Sequence, residues 1–162
     1  MKKSMICAIC ATALFFTSCK DKKEIASDNG IEMSERSKTG SFTVDGATFK
    51  GNVSTQFFGS NKDTDNFSVL CQQDEPFTLL QCTFANRKDA ESPNLVPRGQ
   101  SYKVDPGLFA LSLSVTGSDM EFVANERSGG SVKVEGNTLK ISDVKLFDRE
   151  GNSKTVSETI DF

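Results

Sequence analysis

The chain reads as an all-β domain, an antiparallel two-sheet β-sandwich in the first instance, with a small closed β-barrel as the alternative. Three observations predict this. From Ser41 onward apolar and polar residues alternate at period two rather than 3.6, turn-forming residues recur at short intervals, and no stretch carries a convincing helical period.

Taken in order, Phe42 and Val44 alternate into Asp45-Gly46, and Ala47-Thr48-Phe49 leads away again. Asp-Gly favours the tight hairpin turn whose central residues need positive φ. Further strands are expected at about 52–58, 66–73, 78–86, 101–104, 108–115, 119–125, 131–135, 138–147 and 154–162. Turn signals separate them, among them Asp105-Pro106-Gly107, Ser128-Gly129-Gly130, Gly136-Asn137 and Glu150-Gly151-Asn152. In the strand at 108–115, Phe109, Leu111, Leu113 and Val115 share one face, while Ser112 and Ser114 share the other. One face is therefore core and the other wet. Across 138–147, Leu139 and Ile141 hold one phase and Val144 and Leu146 the opposite one. A bulge near Ser142-Asp143 returns both pairs to the same core. Phe162, on the alternating last strand, is expected to be a core residue.

The residues before Ser41 follow other rules. Lys2 and Lys3 precede an apolar run from Met5 to Phe16, too short for the roughly 20 residues that a membrane-spanning helix needs. This is the pattern of an export signal. Phe16-Thr17-Ser18-Cys19 resembles the bacterial lipobox, in which small residues precede a cysteine. That resemblance implies a lipoprotein signal peptide over 1–18, cleavage before Cys19, and acyl chains on Cys19. Each buried methylene contributes about 0.8 kcal/mol, so several chains together hold a protein firmly on a bilayer.

Residues 19–40 are expected to be the lipidated cysteine and a flexible tether. From Lys20 to Gly40 there are five basic and five acidic residues and no Phe, Tyr, Leu or Val. Such a segment buries too little to offset its ordering entropy. Lys20-Asp21-Lys22-Lys23-Glu24 is similar to the charged tether behind the lipid cysteine in Bacteroidota lipoproteins, which implies attachment to the outer membrane. Cell-surface and periplasmic faces both stay open. The Asp45-Gly46 opening, the turn before Ser131-Val132-Lys133-Val134 and the run Leu139 to Leu146 resemble small β-sandwich lipoproteins of Bacteroidota. That resemblance implies a fold over 41–162 and no reaction.

Composition narrows the partners. Beyond Ser18 the chain has 17 basic and 22 acidic side chains, a net of −5, which argues against nucleic acid. With thirteen Phe, one Tyr and no Trp, phenylalanine has to be the main large core filler.

Cys71 and Cys82 lie on strands expected to form a hairpin around Asp74 to Phe77, both facing the core. An export compartment favours a disulfide. A four-residue loop, however, pairs Cys71 with Leu80 and Val69 with Cys82, leaving the cysteines diagonal at about 7 to 8 Å. A disulfide and two buried free thiols both stay open.

A search for catalytic chemistry finds little. Ser142-Asp-Val-Lys145, Ser27-Asp28-Asn29 and Lys38-Thr39-Gly40 spell the three motifs of serine β-lactamases, but in the wrong order and on the wrong elements. There is no His, the commonest general base and zinc ligand. Asn61, Asp63, Asp65 and Asn66 offer oxygens like the start of a calcium loop, without its central Gly or its terminal Glu. The long connection 86–99, with Arg87, Lys88 and Arg98, is expected to be a solvated loop, and is still the better place for partner contacts. The expectation is a lipid-anchored, non-catalytic binding module of the outer membrane, without cofactor, meeting the membrane through acylated Cys19 and a glycan, peptide or envelope protein through its domain. A small hydrolase using paired carboxylates and a purely structural envelope component are the alternatives.

Overall fold

A computed structural model describes residues 31–33, 38–98, 103–116 and 121–162. The leader, Cys19 and residues 20–30 lie outside the described residues. Those described form β1 (Ile31–Met33), β2 (Lys38–Val44), β3 (Ala47–Phe58), β4 (Phe67–Gln73), β5 (Thr78–Phe84), β6 (Val96–Pro97), β7 (Leu108–Val115), β8 (Glu121–Val123), β9 (Ser131–Glu135), β10 (Thr138–Phe147) and β11 (Ser153–Asp161). Among them there is no α-helix, only a 3-10 turn at Asp89–Glu91.

Eight strands close on themselves in the order β3, β2, β11, β10, β8, β7, β5, β4, with β4 returning to β3. Of the two architectures the sequence allowed, the closed barrel forms and the two-sheet sandwich does not. The twelve-residue β3 makes the closure. Its first part pairs with β2, from Val44↔Ala47 to Lys38↔Val53, and its second part pairs with β4 on the opposite edge, from Asn52↔Gln72 to Phe57↔Phe67. Where the two ladders meet, Gly40 faces Gly51. A Cβ on Gly51 would lie 2.0 Å from the Gln72 carbonyl oxygen, so only glycine lets the β4 backbone cross there.

The interior follows the period-two pattern. Thr78, Leu80, Cys82 and Phe84 of β5 and Phe109, Leu111 and Leu113 of β7 all point inward and are buried. The bulge in β10 lies where it was expected: register shifts between Ile141 and Val144, Asp143 takes a φ of 51°, and Leu139, Ile141, Val144 and Leu146 are all buried. The Asp45-Gly46 turn has positive φ at both residues, 50° and 84°. Phe42, Phe67 and Phe84 are the largest fully buried side chains. An eight-stranded barrel has an interior about wide enough for side chains, and here they fill it.

Three expectations are corrected. The tether does not run to Gly40, because Ile31–Met33 pairs with Gln56 to Phe58 and Lys38 to Gly40 already belong to β2. Backbone pairing there depends on no large apolar side chain, which is why composition hid it. Of the strand expected at 101–104, residues 101 and 102 lie outside the described residues, and Val104 belongs to no strand but is buried and held by its backbone. The connection after β5 is a plug rather than a solvated loop. Ala90 is fully buried, Leu95 packs on the core, and the Asp89 carboxylate accepts the Gly107 N–H at 3.0 Å. Arg87 donates to the Gly136 carbonyl and stacks over both Phe67 and Phe162, 5.4 Å from each ring centroid. The plug thereby packs beside β9, whose ladder runs to β10 alone. Phe162 lies just past β11, half-buried, with its ring 5.7 Å from that of Phe67.

Candidate functional site

Because the barrel is filled, a site for another molecule has to be sought on its outer wall. Side chains that alternate with the core residues form transverse rows there. One row is Gln56, Ser68, Thr83 and Ala110; the next is Ser54, Leu70, Gln81, Ser112 and Val123. Most are small, so the wall is hollow where β5, β7 and β8 meet. The hollow has a volume of about 560 Å³. Its floor is Thr83, Ala110, Ser112 and Val123, and its rim carries Phe58, Arg98, Glu121 and Arg149.

Each rim residue is placed by backbone geometry. Arg98 follows the short parallel strand β6, and its N–H bonds the Phe109 carbonyl at 2.8 Å. The Ala124 N–H bonds Leu111 two residues further along the same edge of β7. β6 and the end of β8 therefore abut there, and Arg98 is carried to the hollow. Arg149 sits on the β10–β11 turn, two residues past Phe147, which pairs with Val123. Asp148 pins this turn: its carboxylate accepts the N–H groups of Glu150 at 3.0 Å and Asn152 at 2.8 Å, and the Asn152 side-chain amide at 2.8 Å. Burial pushes the Asp148 carboxyl up, but these hydrogen bonds outweigh it and hold the group below its ordinary range. Phe58 ends β3 and is 42% exposed.

The floor is ordered as well. The Ser68 and Thr83 hydroxyls lie 2.6 Å apart in a hydrogen bond, and the Gln81 amide nitrogen reaches toward both. This orients Gln81 with its carbonyl oxygen uncommitted among the described residues. Arg98 gives one guanidinium nitrogen to Asp105 at 2.8 Å and keeps further N–H donors. Among the described residues Arg149 has neither hydrogen-bond nor ion-pair partner. The hollow can therefore hold a polar molecule by two guanidinium groups, hydroxyls and an amide, with one aromatic ring at its edge.

No family model, curated protein or solved structure matches this chain.

The residues singled out by sequence fare differently. Cys19 lies outside the described residues. Cys71 pairs with Leu80 and Val69 with Cys82, the diagonal register of a four-residue loop, and both thiols are buried and free rather than bridged. Burial, followed by the charge of Glu158, pushes the Cys71 thiol up to about 11, and burial alone pushes Cys82 higher. Neither thiol reaches the hollow.

The oxygens of the 61–66 turn serve the chain itself. Asp65 accepts the Asn61 N–H at 2.6 Å, and Asn61 accepts that of Asp63 at 3.1 Å. Asn66 is buried and clips Phe84, Ala85 and Val104. Among the described residues no cluster of three or more acidic, Cys or His side chains is placed to hold a metal. Ser142 and Lys145 flank the β10 bulge on exposed positions. Of the basic residues noted in the 86–99 connection, Arg87 is structural and Arg98 reaches the hollow.

Phe58, Ser112 and Arg149 were missed by sequence reasoning. The available signal was the outward phase of 108–115, Ala110, Ser112 and Ser114, where three small residues in succession leave room above a sheet. Arg149 carries no such signal, because only the barrel brings the β10–β11 turn beside β8.

Proposed function

We propose that this protein is a lipid-anchored module of the outer membrane that binds a ligand rather than transforming one, and that the hollow on the outer wall of β5, β7 and β8 is its binding seat. The observation that carries this reading is the hollow's construction: small side chains on the floor, fixed hydrogen-bonding groups, and an exposed ring with two arginines at the rim. Sites of this size combine apolar contact area with a few oriented polar groups. The hydrolase alternative needs two carboxylates facing one bond. Glu121 is the one carboxylate among the described residues lining the hollow.

The anchor rests on Cys19 and its lipobox-like surroundings. Acyl chains on Cys19 would hold the barrel at the membrane, with residues 20–30 between lipid and β1.

Two experiments test the two halves. Cys19→Ala should abolish incorporation of labelled fatty acid, and unchanged labelling would end the anchor reading. Ser112→Trp should fill the hollow and leave the circular dichroism spectrum intact. A saccharide or peptide that binds the native protein should then lose its binding, and full retention would remove the hollow as the seat.

A further inference from the structure

We infer that the ligand of this hollow is an acidic saccharide, its carboxylate taken by Arg149 and Arg98 and one sugar ring laid against Phe58. This rests on the reading of the hollow as a binding seat. Four observations lead to it.

First, the charge of the hollow runs against that of the protein. The chain is acidic overall, yet among the described residues the lining carries two guanidinium groups and one carboxylate. Arg149 makes no ion pair among the described residues, and the Asp105 partner of Arg98 is more than half exposed. A guanidinium offers paired N–H donors that match a carboxylate in a planar, two-bond geometry.

Second, Arg149 is held ready. It stands on a turn whose Asp148 carboxylate accepts two backbone N–H groups and a side-chain amide. Binding therefore costs little ordering of the backbone that presents the cation.

Third, the floor offers hydroxyl and amide groups rather than an apolar slot. The Ser112 hydroxyl and the Gln81 carbonyl oxygen are uncommitted among the described residues, and the Ser68–Thr83 pair orients Gln81. Groups of this kind, donor and acceptor side by side, suit ring hydroxyls. Phe58, beside them, supplies a flat apolar surface for the C–H face of a sugar ring.

Fourth, the backbone under the hollow is already paired. β5 lies between β4 and β7, and β7 between β5 and β8. A peptide commonly binds a sheet by adding a strand to a free edge, and the floor of the hollow presents a face. An acidic peptide is therefore the less suited occupant.

The test uses the full chain in mild detergent, titrated calorimetrically with trigalacturonate, with its methyl ester and with triglutamate, and mapped by amide chemical shifts. Trigalacturonate should bind saturably, with shifts at Gln81, Ser112 and Val123. Methyl esterification, Arg149→Gln and Phe58→Ala should each weaken it about tenfold or more, the effect of losing one charge-assisted bond or one stacking face. The variants should keep the native melting temperature.

If the ester binds in the hollow as tightly as the acid, the carboxylate assignment is overturned and the seat stands. Equal or tighter binding of triglutamate there overturns the saccharide and again leaves the seat. Shifts that fall elsewhere, or no binding of any probe up to about 10 mM, about ten-thousandfold above a micromolar site, overturn the inference and the seat together.

Discussion

Replacing Asn66 by alanine should remove one of the barrel's strongest polar clips. Its Nδ2 lies 3.1 Å from the Phe84 carbonyl, 3.0 Å from that of Ala85 and 2.9 Å from that of Val104, and its Oδ1 accepts the Val104 N–H at 3.1 Å. Two N–H hydrogens serve three carbonyls, so the truncation deletes about three full hydrogen bonds. Val104 is 1% exposed, and its N–H would be left in a dry site. An unsatisfied buried group costs roughly 1 to 3 kcal/mol, whereas the carbonyls, each with a second lone pair, lose less. The expected total is about 2 to 4 kcal/mol, a large share of the 5 to 15 kcal/mol typical of a domain. At roughly 4 °C per kcal/mol for a domain of this size, melting should fall by about 8 to 16 °C. Urea unfolding monitored by tyrosine and far-ultraviolet signals gives the free energy, and exchange of the Val104 amide gives the local effect. A loss below about 0.5 kcal/mol, the ordinary scatter of surface substitutions, together with unchanged protection of Val104, would refute the reasoning.

Gly51→Ala should cost at least about 1 to 3 kcal/mol, read as a lowered urea midpoint, because its Cβ would meet the β4 backbone at 2.0 Å and not a side chain that can swing away. Glu135 is held at about 2, from an ordinary 4.5, by hydrogen bonds from Lys133 and Lys140 and then by their charges. A depressed carboxyl stabilises the fold above its unfolded pKa, so that contribution should fade as pH drops from 4.5 toward 2. In Glu135→Gln the unfolding midpoint should depend less on pH in this window, and about 0.5 M salt should shrink the difference between the two proteins. Buried Cys71 and Cys82 should resist iodoacetamide in the native state and label together on unfolding. A non-reduced mass 2 Da below that of the reduced protein, with both residues unlabelled after denaturation, would show a bridge instead and sink the free-thiol assignment.

Much of the barrel was legible because its strands are half-buried. Where one face of a strand is core, as in β7 or β10, alternation names the inward residues and even exposes the bulge at Ser142-Asp143. β1 and the start of β2 were not legible, since pairing along β3 is made by backbone groups that every residue carries. The 86–98 plug was misjudged for a related reason. Ala90 is small and Arg87 is charged, so neither reads as core, yet one is fully buried and the other stacks over two phenylalanines. Of the hollow, only its small-residue floor left a trace in the sequence.

The sequence by itself determined that the domain is all-β and which residues line its core, and it set Cys71 and Cys82 diagonally across a hairpin only on condition of a four-residue loop. These are local matters, settled by a period of two and by loop length. Only the tertiary structure decided between sandwich and barrel, because that choice depends on pairing between strands far apart in the chain, β2 with β11 above all, and on β3 pairing along both edges at once, which Gly51 permits by lacking a side chain. The same closure decided where the candidate site lies. Phe58, Arg98, Ser112 and Arg149 come from four separate stretches of chain, and only a sheet curved back on itself sets them around one hollow.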